Sequence, residues 1–121
     1  MSIQTLNNSI IKKSEKEVLF RKGFVLVLDI ISYNEFLESD KKHLLAEKIL
    51  KAGTSFGSYL NEIKNCTNSN YCQKKLASAK KEAQKIKYLL QLCKYSSSYP
   101  NPNNLISDIE EIIDTFIQLS N

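Results

Sequence analysis

The chain has few of the residues that interrupt regular structure. Its 121 residues include three glycines and two prolines. A β-rich fold needs turn residues roughly every 8–12 positions, so this scarcity argues against one. Tryptophan is absent, and histidine occurs once, as His43. A single histidine cannot supply the Glu-x-x-His pairs of a di-iron bundle. It lies in Asp40-Lys41-Lys42-His43, among charges, and reads as a solvated surface residue. The three cysteines, Cys66, Cys72 and Cys93, are odd in number and lack a Cys-x-x-Cys spacing. Zinc takes about four nitrogen or sulfur ligands, usually in close pairs, so no metal site is indicated. Long hydrophobic runs are missing too. The run from Phe24 to Ile31 is shorter than the ~20 residues that span a bilayer, and too far into the chain for a secretory signal. The expectation is a cytoplasmic protein without disulfides, its cysteines acting as small buried hydrophobes.

What remains has ordinary proportions. Apolar residues make up 42% and charged residues 25%, at a length suited to one domain. The hydrophobic pattern divides the chain into four periodic segments. In Lys41–Cys66, the residues Leu45, Ile49, Ala52, Phe56, Tyr59 and Ile63 alternate spacings of 4 and 3, which places them on one helical stripe. In Ser69–Lys94, Cys72, Leu76, Ala79, Ala83, Ile86, Leu90 and Cys93 repeat that alternation, with Ser69 as the expected N-cap. In Asn103–Leu119 the stripe is Leu105, Ile109, Ile112, Phe116 and Leu119, with Asn104 or Ser107 as cap. Between these segments lie polar turns, and the stretch Ser96–Asn104 holds both prolines.

The first segment is ambiguous. Val25-Leu26-Val27-Leu28 alone reads as a buried strand. No partner strand exists, and two helical stripes run through the segment, Phe20-Phe24-Val27-Ile31 and Leu19-Leu26-Ile30-Tyr33-Leu37. The expected fold is therefore an all-α, antiparallel, up-and-down four-helix bundle, with helices at about 16–38, 41–66, 69–95 and 103–119. Residues 1–13 form a polar, flexible N-terminal segment, and 14–121 the bundle domain. Two apolar stripes on one helix exceed what a bundle interior readily hides, which points to a homo-oligomer.

No phosphate loop, nucleophile elbow or dinucleotide fingerprint occurs, so neither an enzyme nor a cofactor is expected. Gly53 and Gly57 form a small-xxx-small pair inside the second helix. Each costs about 1 kcal/mol of helix propensity. A close helix approach would offset that cost. Charge is distributed unevenly. Residues 69–95 carry seven basic groups and one acidic, while residues 96–121 carry four acidic groups and no basic one. The lysines Lys74, Lys75, Lys80, Lys81, Lys85 and Lys87 lie off the apolar stripe. They form either a solvated face paired with Asp108, Glu110, Glu111 and Asp114, or a basic strip for nucleic-acid phosphates. The candidate phosphate contacts are Lys74, Lys81 and Lys85, with Lys48 and Lys51 on the second segment. Along the chain the strip lacks interleaved aromatics and arginines, so no base-specific readout is expected.

Two stretches carry a family resemblance. Lys48-Ile-Leu-Lys-Ala-Gly-Thr-Ser-Phe-Gly-Ser-Tyr-Leu-Asn-Glu62 resembles the signature Q-L-L-R-S-G-T-S-I-G-A-N-V-x-E. Lys75-Leu-Ala-Ser-Ala-Lys-Lys-Glu-Ala83, followed by Tyr88 and Leu90, resembles K-L-x-I-A-x-K-E-A-x-E-T-x-Y-W-L. Both signatures belong to the four-helix bundle proteins encoded in intervening sequences of bacterial large-subunit ribosomal RNA. The resemblance covers roughly residues 16–120. It implies a homopentameric bundle without enzymatic activity, related to the accessory protein of diversity-generating retroelements. RNA, DNA and a reverse transcriptase are the partners it implies. Gly53, Thr54, Ser55, Gly57, Glu62, Lys81, Glu82 and Ala83 match the signatures, and Thr54, Ser55 and Glu62 would hydrogen-bond at helix contacts. Lys48, Lys51, Tyr59 and Lys85 depart from them, standing where the family has glutamine, arginine, asparagine and glutamate. The leading expectation is a non-enzymatic oligomeric bundle that binds nucleic acid through a basic face. The alternative is a protein–protein scaffold with no nucleic-acid binding.

Overall fold

The computed structural model describes residues 11–120. These form four α-helices, α1 (Lys13–Ser39), α2 (His43–Asn65), α3 (Ser69–Tyr95) and α4 (Asn103–Ser120). Among the described residues there is no strand. The ambiguous Val25–Leu28 stretch is helical, lying in the middle of α1.

Inter-helix pairs give the orientation. Gly23 meets Leu60, Val27 meets Gly57 and Ile30 meets Gly53. One number rises as the other falls, so α1 and α2 are antiparallel. Lys16 Nζ donates to the Cys66 carbonyl at 2.7 Å in the same register. The Lys75–Glu62 pair, together with a shared cleft between Lys48–Ser55 and Glu82–Leu89, shows the same reversal for α2 and α3. For α1 the ties are Lys22 to Glu111 of α4 and Tyr33 to Pro100 in the loop just before α4. Each helix packs on its chain neighbours, and α4 closes against α1 along the thinnest seam. This is the expected up-and-down bundle.

The stripes read from spacing are the core. All seven stripe residues of α3 are buried, and so are Leu105, Ile109, Ile112 and Phe116 of α4. Phe56 of α2 and Phe116 of α4 meet edge to face, their centroids 6.0 Å apart. A second line on α2, Ala46, Gly53 and Leu60, is also buried. Close approach to α1 explains it: a Cβ on Gly53 would stand 3.0 Å from Ile30 Cγ2. That approach offsets the glycine's helix cost.

Several details differ from the sequence reading. The α3 N-cap is Asn68, whose Oδ1 accepts from the Tyr71 N–H at 3.0 Å, one residue before Ser69. At α4, neither Asn104 nor Ser107 caps the start. Asn101 Oδ1 instead accepts from the Asn103 N–H at 2.9 Å. The expected flexible segment falls outside the described residues at 1–10. At its end, Ile11 is buried in the core and Lys13 already begins α1. The α1–α2 turn is tight because Lys41 adopts a left-handed φ of 62°.

The largest correction concerns cysteine. Cys66 and Cys72 form a disulfide across the α2–α3 turn, their Cα atoms 5.7 Å apart. Free thiols were expected at both. A short turn between antiparallel helices folds a separation of six back on itself and brings the two Cα atoms within disulfide reach. Cys93 is free and buried, as expected.

Candidate nucleic-acid interface

Helical spacing arranges the outer edges of α2 and α3 into facing lines. On α2, Leu44, Lys48, Lys51, Ser55, Ser58 and Glu62 recur at 4, 3, 4, 3, 4. On α3, Lys74, Lys81, Lys85, Tyr88, Leu92 and Tyr95 recur at 7, 4, 3, 4, 3. All six of these α3 residues are exposed. The antiparallel register sets the two lines side by side. Between them lies a cleft of about 350 Å³, lined by Lys48, Lys51, Ala52, Ser55, Glu82, Lys85, Tyr88 and Leu89.

The candidate phosphate contacts thus separate into two groups. Lys48, Lys51 and Lys85 come together in the cleft. Lys74 and Lys81 continue the basic line along α3 outside it. Lys85 Nζ stands 3.7 Å from the half-buried Glu82 carboxylate one turn earlier. Lys48, Lys51, Lys74 and Lys81 have no carboxylate within ion-pair distance among the described residues. Three lysines against one glutamate leave the cleft net positive.

The helix-contact residues also separate. Gly53 and Gly57 face α1. Thr54 does not bridge helices. Its hydroxyl donates to Leu50 and Lys51 carbonyls of its own helix, so that expectation is corrected. An exposed threonine one turn above those carbonyls satisfies itself locally. Ser55 lines the cleft. Glu62 does join helices: its Oε1 accepts from Lys75 Nζ at 2.9 Å and from the Tyr71 hydroxyl at 2.9 Å. The Lys75 and Tyr71 hydrogen bonds hold the Glu62 carboxyl below its ordinary range. In return, the Glu62 hydrogen bond raises both Lys75 and Tyr71. The Lys75 ammonium also lies over the rings of Tyr59 and Tyr71. Tyr59 thus supports a lysine where the family signature has asparagine.

The sequence reading missed the aromatics of this face. Tyr88 is 59% exposed and lines the cleft with the three lysines. It continues the lysine line one turn past Lys85, so helical spacing alone could have found it. Three of the four departures from the family signatures, Lys48, Lys51 and Lys85, line this same cleft.

Elsewhere, His43 is at the surface as expected, paired with Glu38. On α1 the stripe Phe20-Phe24-Val27-Ile31 is partly buried except for Phe24, which is 52% exposed. Val18, Val25 and Phe36 form an outer line beside Phe24 and Leu28, and all five are exposed. Among the described residues, no helix is long and apolar enough to cross a membrane. Nor do three or more His, Cys, Asp or Glu side chains group there so as to hold a metal ion.

The chain is thus an all-α four-helix bundle with a basic, aromatic-edged cleft between its second and third helices. A scan against known protein families finds no match, and neither does a comparison with curated proteins. Among solved structures, it is similar to a crystal structure of a protein with unknown function from the S23 ribosomal protein family of Bacteroides thetaiotaomicron. The TM-score is 0.80 at 24% identity, covering 88% of this chain and 97% of that one. The likeness is one of fold.

Proposed function

We infer that this chain is a non-enzymatic, oligomeric bundle of the ribosomal-RNA intervening-sequence type that binds nucleic acid through the basic face of α2 and α3. The signature stretches support the family reading, and so does the solved neighbour's place in a family named for the ribosome. The observation that carries the binding function is the uneven partnering of the lysines. If acidic α4 neutralised α3, its carboxylates would face the basic line. Only Glu110 reaches α3 in an ion pair among the described residues, and it takes Lys87, off the Lys74–Lys81–Lys85 line, at 3.2 Å, while Glu111 takes Lys22 of α1 at 3.0 Å. Lys74, Lys81, Lys48 and Lys51 remain for a polyanion outside the molecule. Lysines without arginine forks favour the phosphate backbone over base edges.

The test is a titration with RNA and DNA at low and moderate salt. Each phosphate neutralised is expected to contribute about −0.7 to −0.9 to the slope of log affinity against log salt. Lys74→Glu/Lys81→Glu/Lys85→Glu is expected to weaken binding and flatten that slope. No binding by the wild type at low salt, or equal binding by the triple variant, refutes the reading.

Assembly rests on the exposed apolar side of α1. Its extent suits an interface between copies, and the family resemblance sets the number at five. Sedimentation at micromolar concentration is expected to give a homo-oligomer that Val25→Glu/Phe36→Glu dissociates. A 13.8 kDa monomer refutes the assembly. The same α1 side favours a second reading, a protein-binding scaffold, which takes first place if the titration fails. A reverse transcriptase is the protein partner that the retroelement relationship brings to either reading.

A further inference from the structure

We propose that the α2–α3 cleft is a single-strand site: one unstacked base lies against Tyr88, and its flanking phosphates lie on Lys48, Lys51 and Lys85. This deepens the proposed nucleic-acid binding and rests on it. The cleft's volume of about 350 Å³ lies at the small end of the range for sites that enclose a ligand group. Its lining combines two chemistries. The lysines supply charge for a backbone, while Tyr88 and Leu89 supply an apolar wall.

Tyr88 is the distinctive feature. A tyrosine this exposed, at 59%, contributes little to the core. Lysine ammoniums lie over the rings of Tyr59, Tyr71, Tyr95 and Tyr99, and among the described residues none lies over Tyr88. It stands more than half exposed in the same cleft lining as Lys48, Lys51 and Lys85. A base stacks on an exposed tyrosine ring whatever its identity, and the adjoining cations hold the strand that carries it. In a duplex, bases are stacked on each other and unavailable to a side chain in a recess. The site therefore selects single strands without selecting sequence. In an oligomer, identical clefts on neighbouring copies would engage successive stretches of one strand and multiply a weak individual affinity.

The experiment uses the full-length protein and fluorescence anisotropy with four probes of equal length. These are an oligothymidylate, an oligouridylate, an abasic deoxyribose strand and a DNA duplex. Both base-bearing single strands are expected to bind more tightly than the abasic strand and the duplex. Tyr88→Ala and Tyr88→Leu are expected to weaken binding of the base-bearing strands about tenfold. Neither should change binding of the abasic strand, and Tyr88→Phe should restore wild-type affinity. Lys48→Gln/Lys51→Gln is expected to weaken every probe, the abasic strand included. The leucine variant keeps an apolar side chain of similar bulk, so a fold defect in the alanine variant does not obscure the result. Equal affinity for abasic and base-bearing strands, or indifference to both Tyr88 variants, overturns the stacking site while leaving phosphate binding in place. Absence of binding by every probe at low salt overturns the nucleic-acid reading itself.

Discussion

The three glycines of the α1–α2 interface should respond to alanine in a graded order. All three sit in helix interiors, where alanine is favoured over glycine by about 0.8–1.0 kcal/mol. What differs is the space for a methyl group. At Gly57 a Cβ would stand 3.4 Å from Val27 Cγ2, an ordinary contact. Gly57→Ala should keep nearly the whole gain and stabilise by about 1 kcal/mol. For a chain of this length that is a rise in Tm of about 4 °C. At Gly53 the distance to Ile30 Cγ2 is 3.0 Å, and Ile30 is fully buried and stiff at χ1. Crowding and propensity should nearly cancel, leaving a change within about 0.5 kcal/mol of zero. At Gly23 a Cβ would fall 2.0 Å from Leu60 Cδ1 and 3.2 Å from its Cγ. Leu60 is buried and must leave its rotamer, at an overpacking cost of about 1–3 kcal/mol. Gly23→Ala should therefore destabilise by about 1 kcal/mol net of propensity. Leu60→Ala alone should cost about 2–5 kcal/mol. Combined with Gly23→Ala it should cost less than the two added, because the new methyl occupies the vacated space, with a coupling of about 1 kcal/mol or more. The assay is urea unfolding followed by circular dichroism, at one protein concentration because association links stability to concentration. If Gly57→Ala destabilises as much as Gly23→Ala, α1 and α2 do not meet in this register.

Other expectations follow from single contacts. Intact mass after alkylation should show at most one modified cysteine before reduction and three after it, with Cys93 the slowest to react in the folded state. Three reactive thiols without reductant would disprove the Cys66–Cys72 pairing. The short loop it closes is worth about 2 kcal/mol on chain-entropy grounds, so Cys66→Ser/Cys72→Ser should lower the urea midpoint. On the alkaline side, burial and the Cys93 contact raise the Tyr33 phenol, and the Glu62 hydrogen bond raises Tyr71. Both contribute stability that is full below the ordinary phenol value near 10 and is lost as pH climbs through their raised values. Phenolate absorbance should show a late-titrating component that Tyr33→Phe and Tyr71→Phe each diminish, and its insensitivity to both substitutions would refute this. On the acid side, Glu62 is lowered, so its contribution is full above the unfolded carboxylate value and is lost as pH falls through the folded one. Glu62→Gln should remove that dependence.

Spacing along the chain is enough for the fold class and for most of the core. Every stripe residue of α3 is buried, because an alternation of 4 and 3 leaves a helix only one apolar side to hide. The sequence also marked Gly53 and Gly57 as places of close approach, and singled out Lys48, Lys51 and Lys85 before anything placed them together. Tertiary structure decided what depends on distances between segments. The Cys66–Cys72 bond needs the turn to fold back, which a separation of six does not reveal. Thr54 bonds its own helix because its side chain faces solvent, while Glu62, two turns later and rotated toward α3, reaches Lys75 and Tyr71. Which α1 residues stay exposed depends on where α2 and α4 lie, so Phe24 left the stripe that spacing assigned it and joined an outer group with Val18, Val25, Leu28 and Phe36. The cleft itself is a property of two helices. Periodicity fixes which residues share an edge of one helix, and only the antiparallel register of α2 against α3 sets the lysines of both beside Tyr88.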